Sequence, residues 1–280
     1  MIRVPKRYNY IEAYLTLQCN FGCKWCINAH SNLIRKRKEL TAREWIIALN
    51  NLKTGGLPVT LGGGEPTQHP GFYDILGGVR QKFDLLTNGS FDVGKFLKRT
   101  KPEMFFKGSK TYYKNIRISF HPGQSDPDNI ISMARRLMKA GYNPGVFGIN
   151  YPENLHSNNK FTELASRAGV FFFIRDYLGW YKDRLYGDYF YPNGLNGHKK
   201  NCKCRTSELL IAPNGNVFRC HTDLYEGVSD VGNVLNMGYQ IEDIFRPCAR
   251  YGTCNECDVK RKLAPDLISS RCSVEIKETP

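Results

Sequence analysis

Residues 11–26 read Ile11-Glu-Ala-Tyr-Leu-Thr-Leu17-Gln-Cys19-Asn-Phe-Gly-Cys23-Lys-Trp-Cys26, an apolar strand pattern that runs directly into three closely spaced cysteines. A four-iron cluster normally takes four thiolates, one for each iron. Three cysteines in one short loop would leave one iron without a protein ligand. An open coordination position is typical of catalytic metal centres, whereas structural centres are closed. The loop therefore predicts a catalytic iron–sulfur cluster.

Downstream of this loop, short apolar runs alternate with amphipathic segments. The predicted strands are Ile11–Leu17, Pro58–Leu61, Phe83–Thr87, Ile116–Phe120, Val146–Ile149 and Val170–Ile174. Thr41 and Glu44 form a capping-box pattern, and Asp126-Pro127 supplies an N-cap and a first-turn proline. Six β-then-α units predict a parallel sheet with helices outside it, and they are too few for a closed eight-stranded barrel. We expect an α/β fold, a partial (β/α)6 TIM-like barrel at residues 1–195, with a small α+β domain at residues 196–280.

Polar residues and glycines occur where the predicted strands end. The second strand runs into Gly62-Gly-Gly-Glu-Pro-Thr67, the fourth carries Ser119, and the fifth ends at Asn150. The sixth ends at Arg175. Because active sites of such barrels are built at the C-terminal ends of the strands, we expect these residues to meet the cysteine loop at one rim.

The cysteine loop and the glycine turn together resemble the radical S-adenosylmethionine (SAM) superfamily, whose loop has this spacing and an aromatic residue before the third cysteine, here Trp25. The resemblance implies that Cys19, Cys23 and Cys26 hold a [4Fe-4S] cluster with an open iron site, where S-adenosyl-L-methionine binds. It further implies reductive cleavage of SAM to a 5′-deoxyadenosyl radical, which abstracts hydrogen from a substrate.

The resemblance also implies SAM contacts at the strand ends. Gly63-Gly64-Glu65 corresponds to the family's Gly-Gly-Glu-Pro motif, whose backbone groups and carboxylate bind the methionine ammonium. The hydroxyl of Ser119 matches the family's ligand for ribose or carboxylate. Asn150 and Arg175 are placed to hold ribose and carboxylate oxygens, and a salt bridge or a helix cap is the alternative role for Arg175.

Seven more cysteines lie in the last third of the chain: Cys202, Cys204, Cys220, Cys248, Cys254, Cys257 and Cys272. Their spacing resembles the twitch and SPASM extensions of a subset of radical SAM enzymes. One arrangement places an auxiliary iron–sulfur cluster on Cys204, Cys220, Cys254 and Cys257. The other uses Cys202 and Cys204 with Cys220 and Cys257, and leaves the remaining three for a second cluster. One or two auxiliary clusters are therefore predicted.

Two local elements are predicted around these cysteines. Pro213-Asn-Gly-Asn216 predicts the Asn-Gly turn of a β-hairpin. The segment Ile241–Phe245 predicts a short helix before the last cysteine group.

Zinc is the alternative metal for both cysteine groups. His30 follows the first trio at a spacing that suits a fourth zinc ligand, and C-x2-C pairs are common in zinc ribbons. That alternative would make the chain a zinc-dependent nucleic-acid-binding protein. A non-catalytic iron–sulfur electron carrier is a further alternative, although a carrier has no need of the Gly-Gly-Gly-Glu turn.

Charge and hydropathy limit the partners and the location. The formal net charge of +14 suits an acidic electron donor such as flavodoxin or ferredoxin, an anionic substrate, or nucleic acid. No apolar run approaches the roughly 20 residues that span a bilayer. Residues 1–10 carry no secretory signal pattern. These features predict a cytoplasmic protein without a membrane partner.

The position of the first strand bears on the substrate. It starts near residue 11 and leaves no room for the leader-binding segment that peptide maturases often carry. We therefore expect oxidation, epimerisation or rearrangement of a small molecule, such as an anionic sugar, cyclitol or nucleotide. Maturation of a ribosomally made peptide and modification of tRNA or another nucleic acid are the alternatives.

Overall fold

The computed structural model describes residues 1–30, 38–108, 113–262 and 272–278. Its strands are β1 Ile2–Arg3, β2 Tyr10–Thr16, β3 Leu52–Lys53, β4 Val59–Gly63, β5 Phe83–Thr87, β6 Ile116–Ser119, β7 Pro144–Asn150, β8 Phe172–Asp176, β9 Gly179–Tyr181, β10 Arg184–Tyr186, β11 Lys200–Thr206, β12 Glu208–Ile211, β13 Asn216–Phe218, β14 Gly232–Asn233, β15 Arg246–Tyr251 and β16 Val274–Glu278. Its helices are α1 Ala42–Asn50, α2 Phe72–Gly78, α3 Val93–Arg99, α4 Pro127–Lys139, α5 Leu155–Arg167, α6 His221–Glu226 and α7 Glu256–Val259. Among these described helices, none has the length and apolar character needed to cross a membrane.

Six parallel strands form the barrel wall in the order β2-β4-β5-β6-β7-β8. A helix follows each of the first five strands, whereas β8 leads into the β9–β10 hairpin. The predicted strands coincide with the observed ones to within two residues, and Phe83–Thr87 is reproduced in full. The predicted partial (β/α)6 barrel is confirmed.

Successive side chains of β2 point to opposite faces of the sheet, as in any β-strand, so the strand contributes to two different environments. Ile11, Ala13 and Leu15 are fully buried in the main core, where Trp45 of α1 packs against the sheet. The intervening residues Glu12 and Tyr14 face the barrel lumen, and Tyr14 packs in a separate cluster with Leu210 and Phe218. The layer under the helices is therefore apolar, and the other face of β2 carries a buried carboxyl group beside a second apolar cluster.

The barrel sheet continues into the C-terminal region. β12 pairs in parallel with β2, with Leu209 opposite Ile11, and the antiparallel strands β13 and β14 extend the sheet further. The predicted hairpin is therefore present, and Gly215 adopts a φ of 82° at its turn. A separate sheet, β15-β11-β16, carries Cys202, Cys204 and Cys248. The domain division at residue 195 stays a prediction, since one sheet draws strands from both sides of it.

The short helix predicted at Ile241–Phe245 does not form. These residues are irregular, and β15 begins at Arg246. Arg7 donates to the Asp243 carboxylate over 2.7 Å, and the ring centroid of Phe245 lies 4.2 Å from the Lys277 ammonium. These long-range contacts hold the segment in an extended path and override its weak local helix preference.

Helix caps identified in the sequence are present. Thr41 and Glu44 form the reciprocal capping box of α1. The carboxylate of Asp126 accepts hydrogen bonds from the backbone N–H groups of Asp128 and Asn129, and Pro127 occupies the first turn of α4. This cap fixes the start of the helix that follows β6.

Replacing Asp126 by Ala should lower the free energy of unfolding by about 1 kcal/mol, because two amide groups at the start of α4 lose their acceptor. Urea denaturation of the variant measures the change. The control is Glu163→Ala, which removes only an exposed pair with Arg167 on α5 and should cost less than about 0.5 kcal/mol. Equal losses in both variants would contradict a specific role for the cap.

Candidate active site

The cysteine loop lies at the C-terminal end of β2 and is held there by the glycine turn that follows β4. The backbone N–H of Gly64 donates to Thr16 O over 2.9 Å, and that of Glu65 donates to Gln18 O over 2.8 Å. A Cβ atom on residue 64 would lie 2.1 Å from Gln18 O, and Gly63 has a φ of 126°. Glycine is therefore required at both positions for the two segments to meet.

The loops after β5 and β6 contact the cysteine thiols. The Cys23 sulfur lies 3.1 Å from His121 Nδ1 and accepts a hydrogen bond from Gln124 over 3.1 Å. Asn88 donates to the Cys19 sulfur over 3.7 Å. Burial, together with the neighbouring Cys26 and Cys19 sulfurs, raises the pKa of Cys23 to about 11. Three thiolates at this spacing therefore need a cationic centre between them, as a metal cluster provides.

Trp25 forms one wall beside this loop. Its indole stacks on His121 at 6.3 Å between ring centroids, with 14° between the planes, and lies 5.2 Å from the ring of Tyr151. Its Nε1 is buried without a hydrogen-bond partner among the described residues. The His30 side chain, the alternative zinc ligand, lies outside the part of the chain whose side chains are described.

Glu65 is fully buried, and its carboxylate binds the end of β5. One oxygen accepts from the Thr67 hydroxyl over 2.6 Å and from the Thr87 hydroxyl over 2.8 Å, and the other accepts from Asn88 N–H over 2.6 Å. The Thr67 N–H adds a fourth bond over 3.2 Å. Both oxygens are thus used in joining the loops after β4 and β5, and a direct contact between Glu65 and SAM stays a prediction.

The three other predicted SAM contacts lie on neighbouring strands of the sheet. Ser119 is paired with Phe147 across β6 and β7, and the Arg175 guanidinium lies 5.1 Å from the Phe147 ring centroid. Ser119 and Arg175 are therefore both neighbours of Phe147. Asn150 is the exposed last residue of β7 and is paired with Asp176 of β8. Contacts of these three residues with SAM stay predictions.

Glu12 is a lumen residue that the sequence interpretation did not single out. Its side chain is 6% exposed and accepts a hydrogen bond from Tyr10 over 3.0 Å. A Cβ on Gly62 would lie 2.3 Å from its Oε1, so the first glycine of the turn makes room for this carboxylate. Burial raises the pKa of Glu12, and His221 and Arg117 oppose that shift. The sequence signal that could have identified Glu12 is that it is a lone acidic residue inside the apolar run 11–17.

Tyr225 lies between the two cysteine regions. Its phenol is edge-on to Tyr14, with 6.3 Å between ring centroids. Its pKa is raised well above the usual value by burial, and also by the neighbouring Cys257, Glu12 and Cys26. Helix α6, which carries Tyr225, contacts both the turn that follows Cys26 and α7.

A second group of cysteines lines a small cleft in the C-terminal region. Its cysteines are Cys204, Cys220, Cys248 and Cys254. The sulfurs of Cys202, Cys204 and Cys248 lie within 4.8 Å of one another. A hydrogen bond from Cys204 lowers the pKa of Cys248, and the nearby Arg219 adds to this shift. Clustered thiolates beside an arginine fit an iron–sulfur cluster, which carries net negative charge.

A sequence profile described as the radical SAM superfamily matches residues 14–158, which is more than half of the 280 residues. The chain belongs to the radical SAM superfamily. Members of this superfamily are enzymes that use a [4Fe-4S] cluster and SAM, so the zinc-dependent alternative is set aside. A search among curated proteins finds no significant match.

Solved structures support the same fold. Native anSMEcpe with bound AdoMet and the Cp18Cys peptide is 14% identical, with a TM-score of 0.51 over 81% of this chain and 77% of that one. Native anSMEcpe with bound AdoMet is 15% identical, with a TM-score of 0.52 over 81% and 78% of the two chains. At this identity the likeness to these radical SAM structures establishes the shared fold.

Replacing Glu65 by Gln should lower the free energy of unfolding by about 2 kcal/mol or more, because hydrogen bonds to a charged acceptor are worth about 1.5–3 kcal/mol each. The NH2 group of Gln is also a hydrogen-bond donor, and it would face the hydroxyl and N–H groups that donate to Glu65. Chemical denaturation of the cluster-free protein measures the loss. Glu153→Gln changes an exposed carboxylate in the same way and is the control. A Glu65→Gln variant as stable as this control would show that Glu65 does not join the two loops.

Proposed function

We propose that this enzyme reductively cleaves SAM at a cluster held by Cys19, Cys23 and Cys26, and removes hydrogen from a small polar molecule bound in the barrel lumen. The arrangement of the three cysteine thiols against the glycine turn is the observation that carries the proposal. The loops after β5 and β6 both contact thiols of the loop after β2, so the cysteines are held between the ends of three strands.

The residues of the lumen support an oxidation. When bound, the clusters and SAM supply the radical that removes a hydrogen atom and an acceptor for the electron that remains. Oxidation of an alcohol also releases a proton, and Glu12 is a buried carboxylate with a raised pKa. A carboxylate of raised pKa is a better base at neutral pH than an exposed one. We assign Glu12 as the proton acceptor.

An anionic substrate is supported by the cationic side chains around the lumen. Arg175 is an exposed residue of β8, and its guanidinium lies over the Phe147 ring. A cationic side chain that is open to solvent at the strand ends favours a bound anion. Arg117 is already paired with Asp84 over 3.3 Å, which leaves Arg175 for the substrate or for the SAM carboxylate.

A peptide substrate is the second candidate. It is favoured by two similar structures, in which anSMEcpe holds the Cp18Cys or the Kp18Cys peptide. The exposed aromatic side chains Phe173 and Trp180 lie on β8 and on the hairpin that follows it. Separate addition of anionic polyols and of short peptides, followed by measurement of the rate of 5′-deoxyadenosine formation, distinguishes the two classes.

Anaerobically reconstituted protein should form 5′-deoxyadenosine from SAM when dithionite is added. Cys23→Ala should reduce this product to the level of a protein-free sample, because loss of even an outer-shell partner of a metal costs about 10–100-fold. Liquid chromatography with mass spectrometry measures the product.

The matched control is Cys272→Ala, which removes a buried thiol in the C-terminal region. It should retain the cleavage of SAM. Persistent SAM cleavage in Cys23→Ala would contradict the proposed function, and loss in both variants would point to general instability.

A further inference from the structure

Tyr10 is a direct hydrogen-bond partner of the carboxyl group of Glu12. The two are alternate residues of β2, so their side chains share one face of the sheet. The Tyr10 hydroxyl donates to Glu12 Oε2 over 3.0 Å. The Glu12 side chain is buried, and a hydrogen bond to an ionised acceptor is stronger than one between neutral groups.

The neighbouring strand fixes the other oxygen of Glu12. Glu12 is paired with Thr60 across β2 and β4, and Gly62 follows two residues later on β4. A Cβ on Gly62 would overlap Glu12 Oε1, so a larger residue would displace the carboxyl group. The carboxyl group is therefore held in one orientation between the Tyr10 hydroxyl and the backbone of Gly62.

The ring of Tyr10 is held from the C-terminal region of the chain. β12 pairs in parallel with β2 and places Glu208 opposite Tyr10. Glu208 forms an ion pair with Lys262, and the Lys262 ammonium lies 5.7 Å from the centroid of the Tyr10 ring. A cation at this distance is attracted to the face of an aromatic ring. Both charged side chains are buried, so the ring packs against a fixed ion pair.

We propose that Tyr10 is a positioning residue for Glu12, whose hydroxyl orients the carboxyl group and stabilises its ionised form. The inference rests on the proposed function, in which Glu12 is the proton acceptor. The proton released by the substrate ends on Glu12, and Tyr10 keeps its own phenolic proton throughout. Tyr10 therefore acts on the reaction only through Glu12.

Other titratable groups also surround Glu12. They are Tyr14 on β2, Arg117 on β6, Glu208 on β12, His221 and Tyr225 on α6, Cys257 on α7 and Lys262 after α7. Burial raises the pKa of Glu12, and the hydrogen bond from Tyr10 opposes that shift. Replacing Tyr10 by Phe removes this bond and leaves every other group in place, together with the ring that packs against Lys262.

Tyr10→Phe should move the titration midpoint of Glu12 upward by about one pH unit, because the ionised form loses a charge-assisted hydrogen bond while its burial is unchanged. Difference infrared spectroscopy of the reconstituted full chain measures the midpoint, since a protonated carboxyl group has its own carbonyl band. Glu12→Gln identifies that band by removing it.

The matched control is Tyr142→Phe. It removes a buried phenol hydroxyl that is hydrogen-bonded to Thr100 over 2.8 Å, and it should leave the midpoint of Glu12 unchanged. Circular dichroism reports whether each variant is folded. Equal midpoints in the wild type and in folded Tyr10→Phe would overturn the positioning role.

A second measurement does not depend on the folding of Tyr10→Phe. In Tyr14→Phe, which lacks the other phenol on this face of β2, isotopic labelling of tyrosine identifies the phenol C–O bands. One of them should change frequency as Glu12 ionises, because the Tyr10 hydroxyl then donates to a carboxylate. Absence of this change would also overturn the positioning role. Absence of 5′-deoxyadenosine from the wild type would instead reject the proposed function, and neither infrared measurement requires turnover.

Discussion

The backbone contact between the cysteine loop and the glycine turn constrains the rest of the site. Two hydrogen bonds, from Gly64 to Thr16 and from Glu65 to Gln18, continue the β2–β4 pairing beyond the ends of both strands. The contact depends on the missing side chain at Gly64, because a Cβ there would overlap the carbonyl of Gln18. This contact places the thiols beside the loops that follow β5 and β6. A cluster site needs this rigidity, because several ligands must be held at fixed spacing from one short loop.

Buried carboxylates serve two different purposes in this barrel. Glu65 accepts four hydrogen bonds, which offset the desolvation cost of burying its carboxylate and join the ends of β4 and β5. Glu12 accepts a bond from Tyr10, and burial raises the pKa of its carboxyl group although His221 and the Tyr10 hydroxyl oppose that shift. Burial disfavours the charged form of a carboxyl group, which makes protonation easier. Glu65 therefore joins two loops, whereas Glu12 remains a titratable group inside the barrel.

Sequence patterns predicted the barrel and the first cysteine site because both depend on local spacing. The strand Phe83–Thr87, the cap at Asp126 and the loop Cys19–Cys26 all arise from residues adjacent in sequence. The failures are long-range. Ile241–Phe245 has a helical pattern that its contacts with Arg7 and Lys277 override, and the pairing of β11 with β15 brings Cys202 beside Cys248. Strand pairing between segments more than forty residues apart leaves no periodic signal in either segment.

The two cysteine regions are connected through the C-terminal extension of the barrel sheet. β12 extends that sheet beside β2, and the chain then passes through β13 to α6. Helix α6 contacts both the turn that follows Cys26 and α7, and Tyr225 of α6 packs edge-on against Tyr14 of β2. The sheet that carries Cys202, Cys204 and Cys248 is separate from the barrel sheet, so the spacing of the two regions depends on the packing of α6 as well as on strand pairing.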